Sequence, residues 1–223
     1  MIRELARRNG CVLSLPFEQR KMMSTIYQQI PGLGGHLDAA EQSHGCCFGL
    51  SLNWLKNAAD GHDDAFFANS LQDWGNNSLF LRTIGLQFVG LGKARKENEE
   101  NDLKVIQATL PGAGLEMTGA GAVNLSRPDM NHVLKQALES MGRGTEPRYF
   151  VLVSDTHAMA LRKDESGCLH FFDPNGGVIS SDSPDAMARM LRDTLLLTPS
   201  YWQHGQDKVL QIVEAKPAGG AQG

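Results

Sequence analysis

The sequence predicts an α+β fold, with helices in the first half and an antiparallel sheet in the second. Apolar residues recur at helical spacing over 17–30 and 46–58. Later in the chain, three short strand-like segments follow one another closely at 148–154, 157–163 and 168–173. Because the helices come before the strands, the order of the elements is typical of the α+β class.

Length and composition set the broad class of the protein. The chain has 223 residues, of which 41% are apolar and 21% charged, and its formal net charge is −4. These values favour one soluble globular domain over residues 1–223 and argue against a disordered chain, a membrane protein or a nucleic-acid-binding protein. The apolar stretch at 11–15 is too short for a signal peptide and is broken by Pro16, so we expect no cleavable export signal.

The cysteine content indicates where the protein works. Four cysteines in a chain of this length are too few for a disulfide scaffold, and Cys46 and Cys47 are sequence neighbours that are poorly placed to pair with each other. We therefore expect a reducing compartment, with Cys11, Cys46 and Cys168 as small buried residues.

The elements of the first half follow from the helical periodicity. Residues 1–35 are interpreted as an N-terminal extension with one helix, at 17–30, which the PGLGG segment ends. The second helix, at 46–58, places Cys47, Leu50 and Trp54 on one face, and we expect Trp54 in the core. Short apolar runs between 63 and 92 remain unassigned, and the charged segment at 93–102 is interpreted as solvated surface.

The second half alternates strands and helices. We expect a strand at 104–110, a mobile glycine-rich loop beside the active-site cleft at 111–122, and a helix at 128–142. The three central strands follow, and the last two form an antiparallel hairpin around a DESG turn. The remaining expected elements are a helix at 183–197 capped by Ser183, a strand at 208–215 and a disordered tail at 216–223.

One cysteine lies where a thiolate would be stabilised. Cys47 is in the first turn of the helix at 46–58, where the helix dipole and free backbone N–H groups favour negative charge on sulfur. The same N–H groups stabilise the oxyanion that forms when a thiolate attacks a carbonyl, and the side-chain amide of Gln42 could add a second donor. The alternative is that Cys46 and Cys47 are only small buried residues.

A histidine and an aspartate meet across the expected hairpin. His157 begins one strand and Asp173 ends the next, and antiparallel pairing places the start of one beside the end of the other. A carboxylate so placed orients an imidazole, which can take the thiol proton and later protonate a leaving amine. A structural histidine and a plain turn at DPNGG remain open as alternatives.

These residues resemble a known family. The segment GCCFGLSLNWL at 45–55 is similar to the nucleophile helix of the YopT/AvrPphB-type cysteine proteases, with the pattern G-x-C-x-G-L-S-x-x-W. These are papain-like effectors that bacteria inject into other cells. The resemblance implies that Cys47 is the nucleophile, His157 the base and Asp173 its orienting group, and that Gln42 lies at the oxyanion hole. It also implies a papain-like fold with the nucleophile helix packed on a C-terminal antiparallel sheet.

The resemblance implies a thiol hydrolase that needs no cofactor, with a protein of a target cell as substrate and a cognate chaperone or immunity protein as a further partner. It implies synthesis in the bacterial cytoplasm and export without a signal peptide. Papain-like glutamine deamidases similar to OspI use the same attack on a carboxamide, so this reaction stays open, as does an inactive binding module.

No metal is expected, because His36 and His44 lack zinc-site spacing and the remaining histidines are scattered.

Overall fold

The computed structural model describes residues 2–29, 46–71, 82–83, 85–87 and 102–219. Helices lie on both sides of a seven-stranded sheet. The elements in chain order are α1 (Ile2–Asn9), β1 (Val12–Pro16), α2 (Gln19–Gln29), α3 (Cys47–Ala59), α4 (Asp64–Ser70), α5 (Asp102–Thr109), a 3₁₀ helix (Leu110–Ala113), β2 (Leu115–Asn124), α6 (Met130–Met141), β3 (Arg148–Val153), β4 (Ala158–Lys163), β5 (Leu169–Asp173), β6 (Gly177–Ser181), α7 (Pro184–Leu197), a second 3₁₀ helix (Pro199–Tyr201) and β7 (Val209–Pro217).

The sheet has the strand order β1-β6-β5-β4-β3-β7-β2, and every neighbouring pair is antiparallel. Strands β3 to β6 are consecutive in sequence and form a meander in which β4 and β5 pair from Ala160–Phe172 to Lys163–Leu169. The α+β class and the antiparallel C-terminal sheet predicted from the sequence are confirmed. No helix among the described residues is long and apolar enough to cross a membrane.

Two hydrophobic cores lie on opposite faces of the sheet. Helices α1, α6 and α7 cover one face, where Leu134, Met187 and Leu191 are buried against β3 to β7. Helices α2 to α5 cover the other face, with Leu50, Trp54 and Phe67 buried. A sheet that is apolar on both faces requires a helical layer on each side, and helix α3 is held within one of the two cores.

The N-terminal segment contains more structure than the predicted single helix. Helix α1 and strand β1 precede α2, and β1 pairs with β6 at the edge of the sheet. The sequence signal is weak because α1 buries only Leu5, Ala6 and Asn9, and because β1 is a short edge strand of five residues. Pro16 fits the last position of such an edge strand, where its missing N–H breaks no ladder.

The predicted strand at 104–110 and the predicted mobile loop at 111–122 are both wrong. The first segment is α5 and the start of the 3₁₀ helix, because Ile106 and Leu110 are four residues apart and both are buried in the same core. The second segment is strand β2, which pairs with β7 from Leu115 to Asn124. Its small side chains carry little periodicity, and its backbone pairing with a distant strand determines the structure.

Most other elements lie where the sequence predicts them. The helices at 46–58, 128–142 and 183–197 correspond to α3, α6 and α7, and Ser183 caps α7 by accepting a hydrogen bond from the N–H of Ala186. Strand β6 was not predicted, and β7 extends to Pro217, so the expected tail begins later than 216. The charged segment at 93–101 and residues 220–223 lie outside the described residues.

The glycine at position 49 is required by a close backbone approach. A Cβ atom on Gly49 would lie 2.0 Å from the carbonyl oxygen of Thr83, whereas one on Gly85 would meet nothing within 4 Å. We expect Gly49→Ala to lower the free energy of unfolding by about 3 kcal/mol, because the two segments must separate. Gly85→Ala is the matched control and is expected to change it by less than about 1 kcal/mol. Equal stability of the two variants in urea unfolding followed by circular dichroism would contradict this packing.

Candidate active site

The helix that carries Cys47 is held against the sheet by aromatic packing. Helix α3 begins at Cys47, directly after Cys46, so the Cys47 side chain lies in the first turn, where backbone N–H groups have no partner within the helix. Seven residues later, Trp54 is fully buried and its ring stacks on Phe172 of β5 at 5.3 Å. The prediction that Trp54 is a core residue is confirmed, and its contact joins helix α3 to the strand that ends at Asp173.

His157 and Asp173 meet at one end of the sheet. His157 directly precedes β4 and Asp173 is the last residue of β5, and antiparallel pairing brings the two side chains together. His157 Nε2 lies 3.0 Å from Asp173 Oδ1, and the two side chains are only 5% and 3% exposed. The adjacency predicted from the hairpin is therefore present in the structure. Because Nε2 is engaged by the carboxylate, Nδ1 is the ring nitrogen left for the thiol.

The Asp173 carboxylate has further donors that the sequence analysis missed. The Tyr201 hydroxyl lies 2.9 Å from Asp173 Oδ2, and the backbone N–H of Asn175 donates to Oδ1 at 2.9 Å. The Tyr201 ring also stacks on His157, with centroids 4.0 Å apart and planes inclined by 14°. Burial and the Asp173 charge raise the pKa of Tyr201, so its hydroxyl keeps its proton and stays a donor. One buried tyrosine thus fixes both members of the pair.

Cys47 and His157 perturb each other's ionisation. Burial alone would raise the pKa of Cys47, but a hydrogen bond and charge from His157, with backbone hydrogen bonds from Ala158 and Phe48, lower it below the ordinary thiol value. Burial alone would lower the pKa of His157, but the hydrogen bonds that its ring donates to Asp173 and Cys47, and the charges of those two groups, raise it to about 9. Both shifts have the direction that favours a thiolate on Cys47 beside an imidazolium on His157.

The neighbouring cysteine is in a different environment. Burial raises the pKa of Cys46, and the adjacent Cys47 adds to the rise. The Cys46 Sγ lies 3.4 Å from Met23 Sδ, within the core on the helical side of the sheet. The two adjacent thiols thus differ in chemistry, because only Cys47 contacts the imidazole. The predicted oxyanion donor, Gln42, lies outside the described residues.

A second group of ligand-type side chains lies at the far end of the same hairpin. Asp164, Cys168 and His170 bring their ligating atoms within 4.8 Å of one another, although the sequence analysis treated His170 as isolated. The two ring nitrogens of His170 are 2.9 Å from an Asp164 carboxylate oxygen and 2.9 Å from the Ser180 hydroxyl. The backbone N–H of Cys168 donates to Asp164 Oδ1 at 2.9 Å. Hydrogen bonds within the β4–β5 turn and to Ser180 of β6 therefore hold Asp164 and His170 in place.

The chain is similar to a known protein family and to two solved structures. The family model of peptidase C58, described as Yersinia/Haemophilus virulence surface antigen, matches residues 20–218. The crystal structure of the Pseudomonas avirulence protein AvrPphB superimposes with a TM-score of 0.57 at 21% identity, over 77% of this chain and 91% of that one. PatoxP, a cysteine protease-like domain of the Photorhabdus asymbiotica toxin PaTox, gives a TM-score of 0.31 at 10% identity, over 78% and 79% of the two chains. No curated protein sequence matches the chain significantly.

The extent of the family match and the shared fold lead to one conclusion. The match covers nearly all of the chain, including the helix that begins at Cys47 and the hairpin that carries His157 and Asp173. The likeness to AvrPphB shows the papain-like fold. The chain therefore belongs to the YopT/AvrPphB-type family of cysteine peptidases, peptidase C58.

Proposed function

We propose that this peptidase is an effector that cleaves a protein of a target cell, with Cys47 as nucleophile, His157 as base and acid, and Asp173 as the group that orients His157. The observation that carries the proposal is the buried His157–Asp173 pair, with 3.0 Å between Nε2 and Oδ1, hydrogen-bonded through the imidazole to a cysteine at a helix start. These are the groups that acyl transfer to sulfur requires.

The reaction follows from the ionisation of the pair. The Cys47 thiolate attacks the carbonyl carbon of the scissile peptide bond, and the electron pair of that carbonyl moves to oxygen. The His157 imidazolium gives its proton to the leaving amine as the C–N bond breaks, which leaves an acyl-enzyme. His157 then takes a proton from water, the hydroxide attacks the thioester, and the thiolate departs. Asp173 holds the imidazole in the Nε2–H tautomer throughout.

The oxyanion needs donors in both steps. We assign this role to the backbone N–H of Cys47 and to the Gln42 amide, on the basis of the family resemblance and the position of Cys47 at the helix N-terminus. An interaction of this kind lowers a barrier by about 3 kcal/mol when the donor is aimed at the developing charge.

The proposal extends to the whole chain and its place of action. Residues 1–223 form one catalytic domain, supported by the entry of both β1 and β7 into a single sheet. The free Cys47 thiolate requires a reducing compartment, as in the interior of a target cell. Export from the producing bacterium occurs without a signal peptide, and a cognate chaperone or immunity protein is a further partner.

Mass spectrometry of a target-cell extract tests the reaction. The extract is incubated with the wild-type chain or with Cys47→Ala, and the new N-termini are labelled and identified. The proposal expects at least one protein to acquire a new N-terminus only with the wild-type chain. A Gln-to-Glu mass change without any new N-terminus would instead identify a deamidase, and the absence of either change would contradict a hydrolase.

A further inference from the structure

A buried glutamine in the N-terminal segment lies between the two halves of the active site. Gln19 is the first residue of α2, is only 6% exposed and directly precedes the region that the family model matches, which begins at residue 20. A buried side-chain amide carries a large desolvation cost unless its oxygen and nitrogen find partners. The partners of Gln19 therefore indicate what it does.

Within the described part of the chain, the hydrogen bonds that Gln19 makes outside its own helix are to residues that flank the active site. Its Oε1 accepts from the backbone N–H of Cys46 at 3.1 Å, and its Nε2 donates to Asn175 Oδ1 at 2.8 Å. Its own backbone N–H donates to the carbonyl oxygen of Pro174 at 2.7 Å. One side of Gln19 thus holds the residue before Cys47, and the other side holds the two residues after Asp173.

The hydrogen bonds continue from Asn175 to the catalytic carboxylate. Asn175 Nδ2 lies 3.1 Å from the Tyr201 hydroxyl, which in turn lies 2.9 Å from Asp173 Oδ2. An unbroken series of contacts therefore runs from the amide of Cys46 to the group that orients His157. Phe17, two residues before Gln19, packs on Phe172 with ring centroids 5.6 Å apart and so anchors the segment to β5.

We propose that Gln19 is a positioning residue that sets the separation between the nucleophile helix and the His157–Asp173 pair. This inference rests on the proposed function of that pair. Cys47 comes from one face of the sheet and His157 from the sheet itself, and their hydrogen bond requires a fixed distance between the two elements. A misplacement of about 1 Å is enough to cost about 100-fold in rate at such a site. Gln19 bridges both elements with one rigid amide.

The test measures the thiolate of Cys47 and needs no knowledge of the substrate. The rate of alkylation by iodoacetamide is recorded against pH for the full chain, and the labelled peptide is mapped to separate Cys47 from Cys46. In Gln19→Met, which keeps the size and removes the two side-chain hydrogen bonds, we expect the midpoint to rise by about one unit or more toward 8.5. The rate at a pH below both midpoints should fall about tenfold.

Two further variants separate positioning from stability. Asn9→Ala removes an equally buried amide, which donates to Asp193 Oδ2 on the other face of the sheet, and is expected to lower the melting temperature without moving the midpoint. Gln19→Asn keeps an amide one methylene shorter, which cannot reach both partners, and is expected to shift the midpoint in the same direction as Gln19→Met. Gln19→Asn therefore still tests the proposal if Gln19→Met does not fold.

The outcomes distinguish the inference from the proposed function. A wild-type midpoint well below 8.5 that both Gln19 variants retain would overturn the role of Gln19 and leave the proposed function intact. A wild-type midpoint near 8.5 would contradict the proposed function, and the role of Gln19 with it. A midpoint that rises in the Gln19 variants and stays in place in Asn9→Ala supports the inference.

Discussion

Cys47→Ala is expected to abolish hydrolysis, with a loss of at least about 10³-fold in kcat/KM. The variant removes the thiol that forms the acyl-enzyme, and what remains is catalysis by substrate binding and the oxyanion donors. Helix α3 and its buried contacts are unaffected, because alanine fits the first turn and Trp54 still packs on Phe172. The measurement is the rate of appearance of the new N-terminus in a target protein.

Cys46→Ala is the matched control for this variant. Cys46 is adjacent and also buried, but its thiol contacts Met23 and its pKa is raised. The backbone N–H of Cys46, which donates to Gln19 Oε1, is unchanged in the alanine variant. We expect activity within a few-fold of the wild type and a modest loss of stability. If Cys46→Ala is inactive while Cys47→Ala cleaves normally, the nucleophile has been assigned to the wrong cysteine.

Asp173→Asn is expected to lower kcat by about 10²–10⁴-fold while the protein stays folded. The carboxylate accepts from His157, Tyr201 and the backbone N–H of Asn175. A neutral amide cannot accept all three of these bonds, and it removes the charge that stabilises the imidazolium. The pKa of His157, raised to about 9 in part by Asp173, should therefore fall. As the pKa of His157 falls, the fraction of molecules that hold the Cys47 thiolate and the His157 imidazolium at neutral pH should fall too.

Asp193→Asn is the matched control for Asp173→Asn. Asp193 is also a buried aspartate, paired with Arg8 and Arg192 on the opposite face of the sheet. We expect this variant to lower the melting temperature with no selective loss of kcat. Comparable losses of kcat in the two variants would show that general destabilisation, and not the orientation of His157, explains the effect of Asp173→Asn.

The sequence was most informative where function requires a local pattern. The pattern that places a cysteine at the start of a helix spans about ten residues. The histidine and the aspartate of the hairpin are sixteen residues apart. Both predictions depended only on helix and hairpin geometry, and the structure brings Cys47, His157 and Asp173 together. The Ser183 cap and the buried Trp54 were readable for the same reason.

Long-range contacts could not be read in this way. Tyr201 forms a hydrogen bond with Asp173, 28 positions away, and Gln19 forms one with Asn175, 156 positions away. Neither residue has a distinctive local sequence. Strand β2 was missed because its glycines and alanines carry no apolar alternation, and its pairing with β7 alone defines it. Such residues become visible only when the chain is folded, since tertiary pairing overrides local propensity.

The ionisation of Cys47 in the wild-type chain is the decisive measurement. The rate of iodoacetamide alkylation, mapped to Cys47, is followed from acidic to alkaline pH. A lowered thiol pKa means that the thiolate persists below the ordinary range and is lost only as the pH falls through that lowered value, while the imidazolium partner persists up to about pH 9. We expect rapid labelling of Cys47 well below pH 8.5 and slow labelling of Cys46. A Cys47 midpoint near 8.5, as in an unperturbed thiol, would contradict the thiolate–imidazolium pair.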